Sequence, residues 1–390
     1  MIEIRNGIII LEDSTLTDYS ILIKDDLIYD IVPTNEVDGN SVKEVIDAQN
    51  SYICPGFIDI HSDYIEHVAA PRVTSIIDFN IALQEMEREL ISHGITTMFH
   101  SISLLKNYGK KILRKAENVQ NMAELIANSH FNPHMVRNRF HLRFELDNIE
   151  AYESVIGYVK SGNVDLLSFM DHTPGQGQYR DIEIYKLSYL EDEGYTREQI
   201  DEIIEKRMNS PILTYERIKK IADIAYERGI PIASHDDDSK EKVDIVSTLH
   251  TGISEFPISI EAARAAKEKG MYTVMGAPNI VLGKSHNGNL SAREAVENDV
   301  VDILCSDYYP SSLLHAVFSL YDLGYDLCKL IKYVTANPAK ATKIDDVTGT
   351  IAKGKKADIL LIKRLPNNLP FITHVFVDGI LICKMNNRIS

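Results

Sequence analysis

Apolar and polar positions fall into two regimes along the chain. Over roughly the first 50 residues the apolar runs are short and broken by turn residues. "IEIRNGIII" carries Asn-Gly between two runs, and "YSILIKDDLIYDIV" carries Asp-Asp between two more. The last 40 or so residues read the same way: "ADILLIKR" is followed by "ITHVFVDGILIC", with an Asp-Gly turn. Both ends therefore predict short strands in hairpins. The simplest architecture pairs them as one small β domain, a β-sandwich formed by both termini, over residues 1–53 and 346–390.

Between these ends, over residues 54–345, the pattern alternates. Seven apolar runs have strand length: "GFIDIH", "ITTMFHS", "HLRFEL", "VDLLSFMDH", "IPIASH", "YTVMGAP" and "VDILCSD". A short "SEFPIS" lies between the fifth and sixth. Stretches with apolar residues at helical spacing separate them, such as "IALQEMERELISHG" and "LTYERIKKIADIAYERG", each closed by glycine. Eight strands alternating with helices predict an α/β fold, a (β/α)8 TIM-like barrel. A doubly wound sheet has the same pattern.

Composition narrows the function. The 390 residues carry 41 basic and 57 acidic side chains, a net charge of −16. A nucleic-acid or anionic-membrane surface repels such a chain. Cys54, Cys305, Cys328 and Cys383 are far apart, without the spacing of a zinc ribbon or a disulfide framework. The start, "MIEIRNGIII", lacks a signal-peptide pattern, and no run is apolar enough to span a membrane. A cytoplasmic location with reduced thiols is expected.

In a (β/α)8 barrel the reactive groups stand at the C-terminal ends of the strands. Here those ends carry His61 with Asp63, then Glu145, Asp171 with His172, His235 followed by three aspartates, and Asp307. His61 and Asp63, two apart on an extended segment, share a face and can reach one ion. A lone histidine at a strand end is more often a hydrogen-bonded structural residue, and Asp307 alone reads as a helix cap. The recurrence on five strand ends is what favours metal. His61, Asp63, Glu145, His172, His235 and Asp307 are the expected ligands. They suffice for two divalent ions, with zinc first and iron or manganese as the other candidates. Asp236 or Asp237 is read as orienting His235 or capping the next helix.

These motifs resemble a known family. The strand-one His-x-Asp, the mid-barrel carboxylate, two later histidines and a strand-eight Asp are similar to the amidohydrolase superfamily, as is the ending "VTANPAKATKI…GTIAKGKKADILLI". "HSDYIEHVAAPR", "SFMDHTPGQGQYRD", "ASHDDDS", "MGAPNIVLGKSHNGNLSARE" and "DILCSDYYPSSLL" resemble its phosphonate-metabolism branch. That branch hydrolyses alpha-D-ribose 1-methylphosphonate 5-triphosphate in the carbon–phosphorus lyase pathway. The resemblance implies metal-dependent release of pyrophosphate, leaving the 5-phosphate. It implies that His61 and Asp63 form the strand-one pair, that Glu145 bridges two metals, and that His172 and His235 are the later imidazoles. It also implies that Asp307 both binds metal and takes the proton from water. One departure is Tyr64, where the branch often has Asn; it adjoins the metal pair and bears on the pocket.

A triphosphate also needs cations and donors. Residues 276–294 offer Lys284, Ser285, His286 and Arg293 among glycines and asparagines, with "LSARE" as a helix start capped by Ser291. The loop "DHTPGQGQYRD" offers Gln176, Gln178 and Arg180, and Arg72 lies one loop beyond the metal pair. Each of these also reads as an ordinary turn or surface residue. The expected partner is a small phosphorylated ribose, with no nucleic acid or membrane, and a homodimer follows from base rates. Two rival functions remain. One is a superfamily hydrolase or deaminase acting on a C–N bond, since the same activated water attacks carbon or phosphorus. The other is a non-catalytic scaffold, which the intact ligand set argues against.

Overall fold

A computed structural model describes residues 1–72, 75–106, 112–175, 177, 182–183, 186, 196–283 and 289–388. The N-terminal segment forms β1 (Ile2–Arg5), β2 (Ile8–Ile10), β3 (Thr15–Leu16), β4 (Tyr19–Lys24), β5 (Leu27–Pro33), β6 (Glu44–Asp47) and β7 (Tyr52–Pro55). The barrel strands are β8 (Phe57–Ser62), β9 (Ile95–Leu104), β10 (Arg137–Glu145), β11 (Leu166–Met170), β12 (Ile232–His235), β13 (Ile253–Glu255), β14 (Tyr272–Gly276) and β15 (Ile303–Cys305). β16 (Ile359–Arg364), β17 (Pro370–Val377) and β18 (Ile380–Lys384) close the chain.

The terminal strands build two sheets, in the orders β5-β4-β1-β6 and β18-β17-β16-β7-β2-β3. Their shared core holds Ile4, Ile9, Ile21, Ile23, Ile53, Ile359, Leu361 and Phe376, drawn from both ends of the chain. The two later turns behave as the pattern predicts. Asp25 joins β4 to β5, and Asp378-Gly379 joins β17 to β18, with positive φ at all three residues. The Asn-Gly at residues 6–7 does not form a hairpin. β1 pairs with β4 and β6, whereas β2 pairs with β3 and β7, so this turn passes the chain from one sheet to the other. Gly7 is needed there for room: a Cβ would fall 2.5 Å from the Ile53 side chain.

The eight barrel strands pair in sequence order, every neighbouring pair parallel. The barrel closes through a parallel bridge between Ser62 and Asp307. There the Asp307 amide donates to the His61 carbonyl (3.0 Å) and the Asp63 amide to the Asp307 carbonyl (2.9 Å). This is the α/β barrel that the alternating pattern predicts, rather than a doubly wound sheet. Among the described residues, Ile58, Phe99, Leu166, Ala233, Ile253, Val274 and Ile303 form one buried cluster contributed by seven barrel strands. That cluster makes the barrel a packed core, which leaves the strand ends as the place for a site. The helix Phe79–Ser92 shows how the outer layer is attached. Asp78 caps its first turn, and Ala82, Leu83, Met86, Leu90 and Ile91 are buried at helical spacing.

Candidate metal centre

β8 delivers His61 and Asp63 to the mouth of the barrel. His61 is buried, and its Nδ1 donates to Glu255 Oε1 at 2.8 Å. Burial lowers the imidazole pKa while the Glu255 charge opposes it. Asp63 precedes the helix Tyr64–Ala69 without capping it through its side chain. Its Oδ2 lies 3.5 Å from Arg114, whose Nε donates to both oxygens of Glu66 at 2.9 Å. Tyr64, beside the pair, donates to Glu89.

β10 contributes by alternation. Phe140, Leu142 and Phe144 lie in the core between barrel and helices, so His141, Arg143 and Glu145 take the opposite face. Glu145 accepts from the His172 amide and from His172 Nδ1, both at 2.7 Å. Burial works to raise the Glu145 carboxyl, but the His172 imidazole overcomes it and leaves the pKa below its ordinary value. For His172, burial works downward and loses to Glu145 and Asp236, so its pKa is raised to about 9. His141 is buried, with Nε2 2.7 Å from Ser168 Oγ, which in turn donates to Glu255 Oε2 at 2.6 Å. Burial of Glu255 is outweighed by His61 and His141, which hold its carboxyl far below the usual range.

The remaining groups sit just past strand ends, on backbone that L-residues rarely adopt. Asp236, Phe256 and Asp307 follow β12, β13 and β15 with φ of 53°, 54° and 58°. Lys242 Nζ donates to the carbonyls of His235 (2.9 Å) and Asp236 (3.0 Å) and so holds the first of these turns. Asp236 Oδ2 lies 2.9 Å from His235 Nδ1 and 3.4 Å from His172 Nε2. Asp237 instead accepts from the hydroxyls of Ser234 and Ser254. The next helix, Lys240–Ser247, is capped by Ser239, so neither aspartate caps it. Asp307 is buried; desolvation first, and the Asp63 charge second, push its carboxyl up to about 7.

The donor set fits divalent cations. Asp63 Oδ1 is a buried carboxylate oxygen without a hydrogen-bond partner, and Asp236 Oδ2 is shared between the two imidazoles of His235 and His172. A buried carboxylate oxygen left without a partner is costly unless a cation satisfies it. His61, His235 and Glu255 form one group whose ligand atoms lie within 4.8 Å of one another, and His172, His235 and Asp236 form a second. Nitrogen and oxygen donors without thiolate suit zinc, manganese or iron. Three of the six expected ligands, His61, His172 and His235, fall in these groups. Asp63, Glu145 and Asp307 lie alongside, tied to them by the contacts above. Glu255 and Asp236 are additions that the sequence did not nominate as ligands. Glu255 ends a strand of three residues, and its position at that strand end was the available signal.

The expected substrate-binding residues fare differently. Lys284, Ser285, His286, Gln176, Gln178 and Arg180 lie outside the described residues. Arg293 is exposed on the helix Ala292–Glu297, and its Nε donates to Glu297 at 3.3 Å; Ser291 caps that helix as expected. Arg72 is exposed, in an isolated bridge with Ser75. Among the described residues Arg143, whose Nη2 donates to His235 Nε2, and Arg114, beside Asp63, bring cations to the site; neither was expected from the sequence.

The amidohydrolase family model matches residues 52–382, which is most of the chain. The chain belongs to the amidohydrolase family. Amidohydrolases are hydrolases that generally use divalent metals, in keeping with the donor groups described above. The chain is 33% identical over 343 residues to the alpha-D-ribose 1-methylphosphonate 5-triphosphate diphosphatase of Escherichia coli, covering 86% of this chain and 89% of that one. It is 30% identical over 135 residues to an adenine deaminase of Clostridium botulinum, covering 32% of this chain and 21% of that one. The amidohydrolase fold is shared with dihydropyrimidinase from Brevibacillus agri at a TM-score of 0.66 and 14% identity, covering 98% and 95% of the two chains. Among the described residues no helix is long and apolar enough to cross a membrane.

Proposed function

We propose that this amidohydrolase is a metal-dependent diphosphatase. It hydrolyses alpha-D-ribose 1-methylphosphonate 5-triphosphate to the 5-phosphate and pyrophosphate. The observation that carries this reading is the 33% identity to the Escherichia coli diphosphatase over 89% of that enzyme's length. The site chemistry is compatible with it. Divalent ions held by the two donor groups would acidify a water and neutralise phosphoryl oxygens. Water attacks phosphorus, the P–O–P anhydride bond breaks, pyrophosphate leaves, and the water's proton goes to the Asp307 carboxylate. Zinc is the first choice of metal, two ions per chain. The enzyme works in the cytoplasm on a small phosphorylated ribose, as a homodimer, without nucleic acid or membrane.

A second reading, hydrolysis of a C–N bond, is favoured by the match to the adenine deaminase. Phosphorus NMR of the metal-loaded protein separates the two. The expected result is pyrophosphate release from the ribosyl triphosphate, abolished in Asp307→Asn, with ATP and GTP turned over far more slowly. No release from any of these triphosphates, together with ammonia from adenine, would replace the first reading by the second.

A further inference from the structure

Cleaving a triphosphate places negative charge on phosphoryl oxygens and on the departing pyrophosphate, and enzymes meet it with fixed cations. Arg143 is placed to do this. It lies on the inner face of β10 between His141, which meets Ser168 beside Glu255, and Glu145, which holds His172. Its guanidinium is half-buried, yet its partners are soft. Nε donates to Met170 Sδ at 3.2 Å and Nη2 to His235 Nε2 at 3.3 Å. Among the described residues no carboxylate oxygen lies within 4.0 Å of it. Other partly buried arginines do hold carboxylates: Arg114 with Glu66, Arg137 with Asp358, Arg139 with Asp165, Arg364 with Asp322. Arg143 is thus kept off the carboxylates in a site that contains Asp63, Glu145, Asp236, Glu255 and Asp307. A guanidinium offers five N–H donors in a planar fork that matches two oxygens of one anion, and a thioether and an imidazole leave most of that capacity unused.

We propose that Arg143 is a substrate-binding residue whose guanidinium receives phosphoryl oxygens of the substrate. The inference rests on the phosphoanhydride reading for the identity of the substrate, and on the geometry of β10 for the residue. Because it lies among the groups that hold metal, its charge also has a simpler role to exclude, that of balancing nearby carboxylates.

The test is calorimetric titration of inorganic pyrophosphate into metal-loaded wild type, Arg143→Gln and Arg143→Lys, with succinate as a carboxylate control and metal content measured by mass spectrometry. Arg143→Gln is expected to keep its metal and to bind pyrophosphate roughly 10- to 100-fold more weakly, with Arg143→Lys between the two. Should Arg143→Gln fail to fold, Arg143→Lys carries the comparison, since it keeps the charge and loses the fork. Pyrophosphate affinity within about two-fold of wild type in both variants overturns the inference. So does a larger loss for succinate than for pyrophosphate, which would make this a carboxylate site. A wild type that releases no pyrophosphate from the ribosyl triphosphate, while Arg143→Gln still loses pyrophosphate binding, removes the diphosphatase reading and leaves the phosphoryl site standing.

Discussion

At the scale of single residues, Glu255 and His100 carry the sharpest expectations. Glu255 accepts from His61 Nδ1 and from Ser168, so it is placed to ligate a metal itself or to fix the imidazole that would. Glu255→Gln keeps the shape and removes the charge. Metal affinity should fall by at least ~10-fold, read by competition against a chelator. His100 is buried on β9, donates from Nε2 to Asn138 Oδ1 at 2.8 Å, and leaves Nδ1 without a partner. Burial lowers its pKa from 6.5 to about 4. The sign follows from which state binds the proton. Above pH 6.5 both the folded and the unfolded chain hold a neutral ring. Between 6.5 and about 4 only the unfolded chain is protonated, so stability falls as pH falls, and below about 4 the loss is complete. His100→Gln should remove up to about 1.4 kcal/mol per pH unit of that slope in denaturant melts at pH 7, 6, 5 and 4. The sequence made His61, His172 and His235 legible because each ends an apolar run of recognisable length. Glu255 was hidden by a strand too short to show a period. Arg143 was hidden because an arginine inside a strand pattern reads as the solvent-facing half of an alternation, and only the closed barrel turns that half inward.

At the scale of elements, the turns separate what local chemistry decides from what packing decides. Asp378-Gly379 and Asn6-Gly7 carry equivalent turn signals, yet only the first makes a hairpin. The difference lies in partners more distant in sequence: β1 pairs with β4 and β6, and β2 with β3 and β7, in two different sheets. Gly379 combines φ of 74° with a backbone approach, since a Cβ there would meet the Asp25 carbonyl oxygen at 2.1 Å. Gly379→Ala should therefore cost at least about 1–3 kcal/mol in denaturant melts, with the site and its metal content unchanged. The same left-handed backbone at Asp236, Phe256 and Asp307 falls on residues with side chains. Strain of this kind persists only where the surroundings enforce it, and here it collects where three strands deliver their side chains to one centre.

At the scale of the molecule, the barrel was legible because eight alternations of strand and helix are a long-range regularity that survives local errors. The two-ended sandwich was legible only as an economy, two groups of hairpins with nowhere else to bury their apolar faces. β7 lies between β2 and β16, and the sheet that contains it cannot be completed without residues 359–364. Between Pro55 and Ile359 lie about 300 residues. At roughly 5–20 residues per second on the ribosome, that separation lasts about 15 to 60 s. During this interval the strands that precede the barrel have an open edge and an uncovered isoleucine-rich face, while the barrel is still emerging. Many chains finish one unit before the next is made; here the sandwich is begun before the barrel segment is translated and completed after it. The newborn protein therefore passes through a stage in which the sandwich strands that precede the barrel need shelter from neighbouring chains.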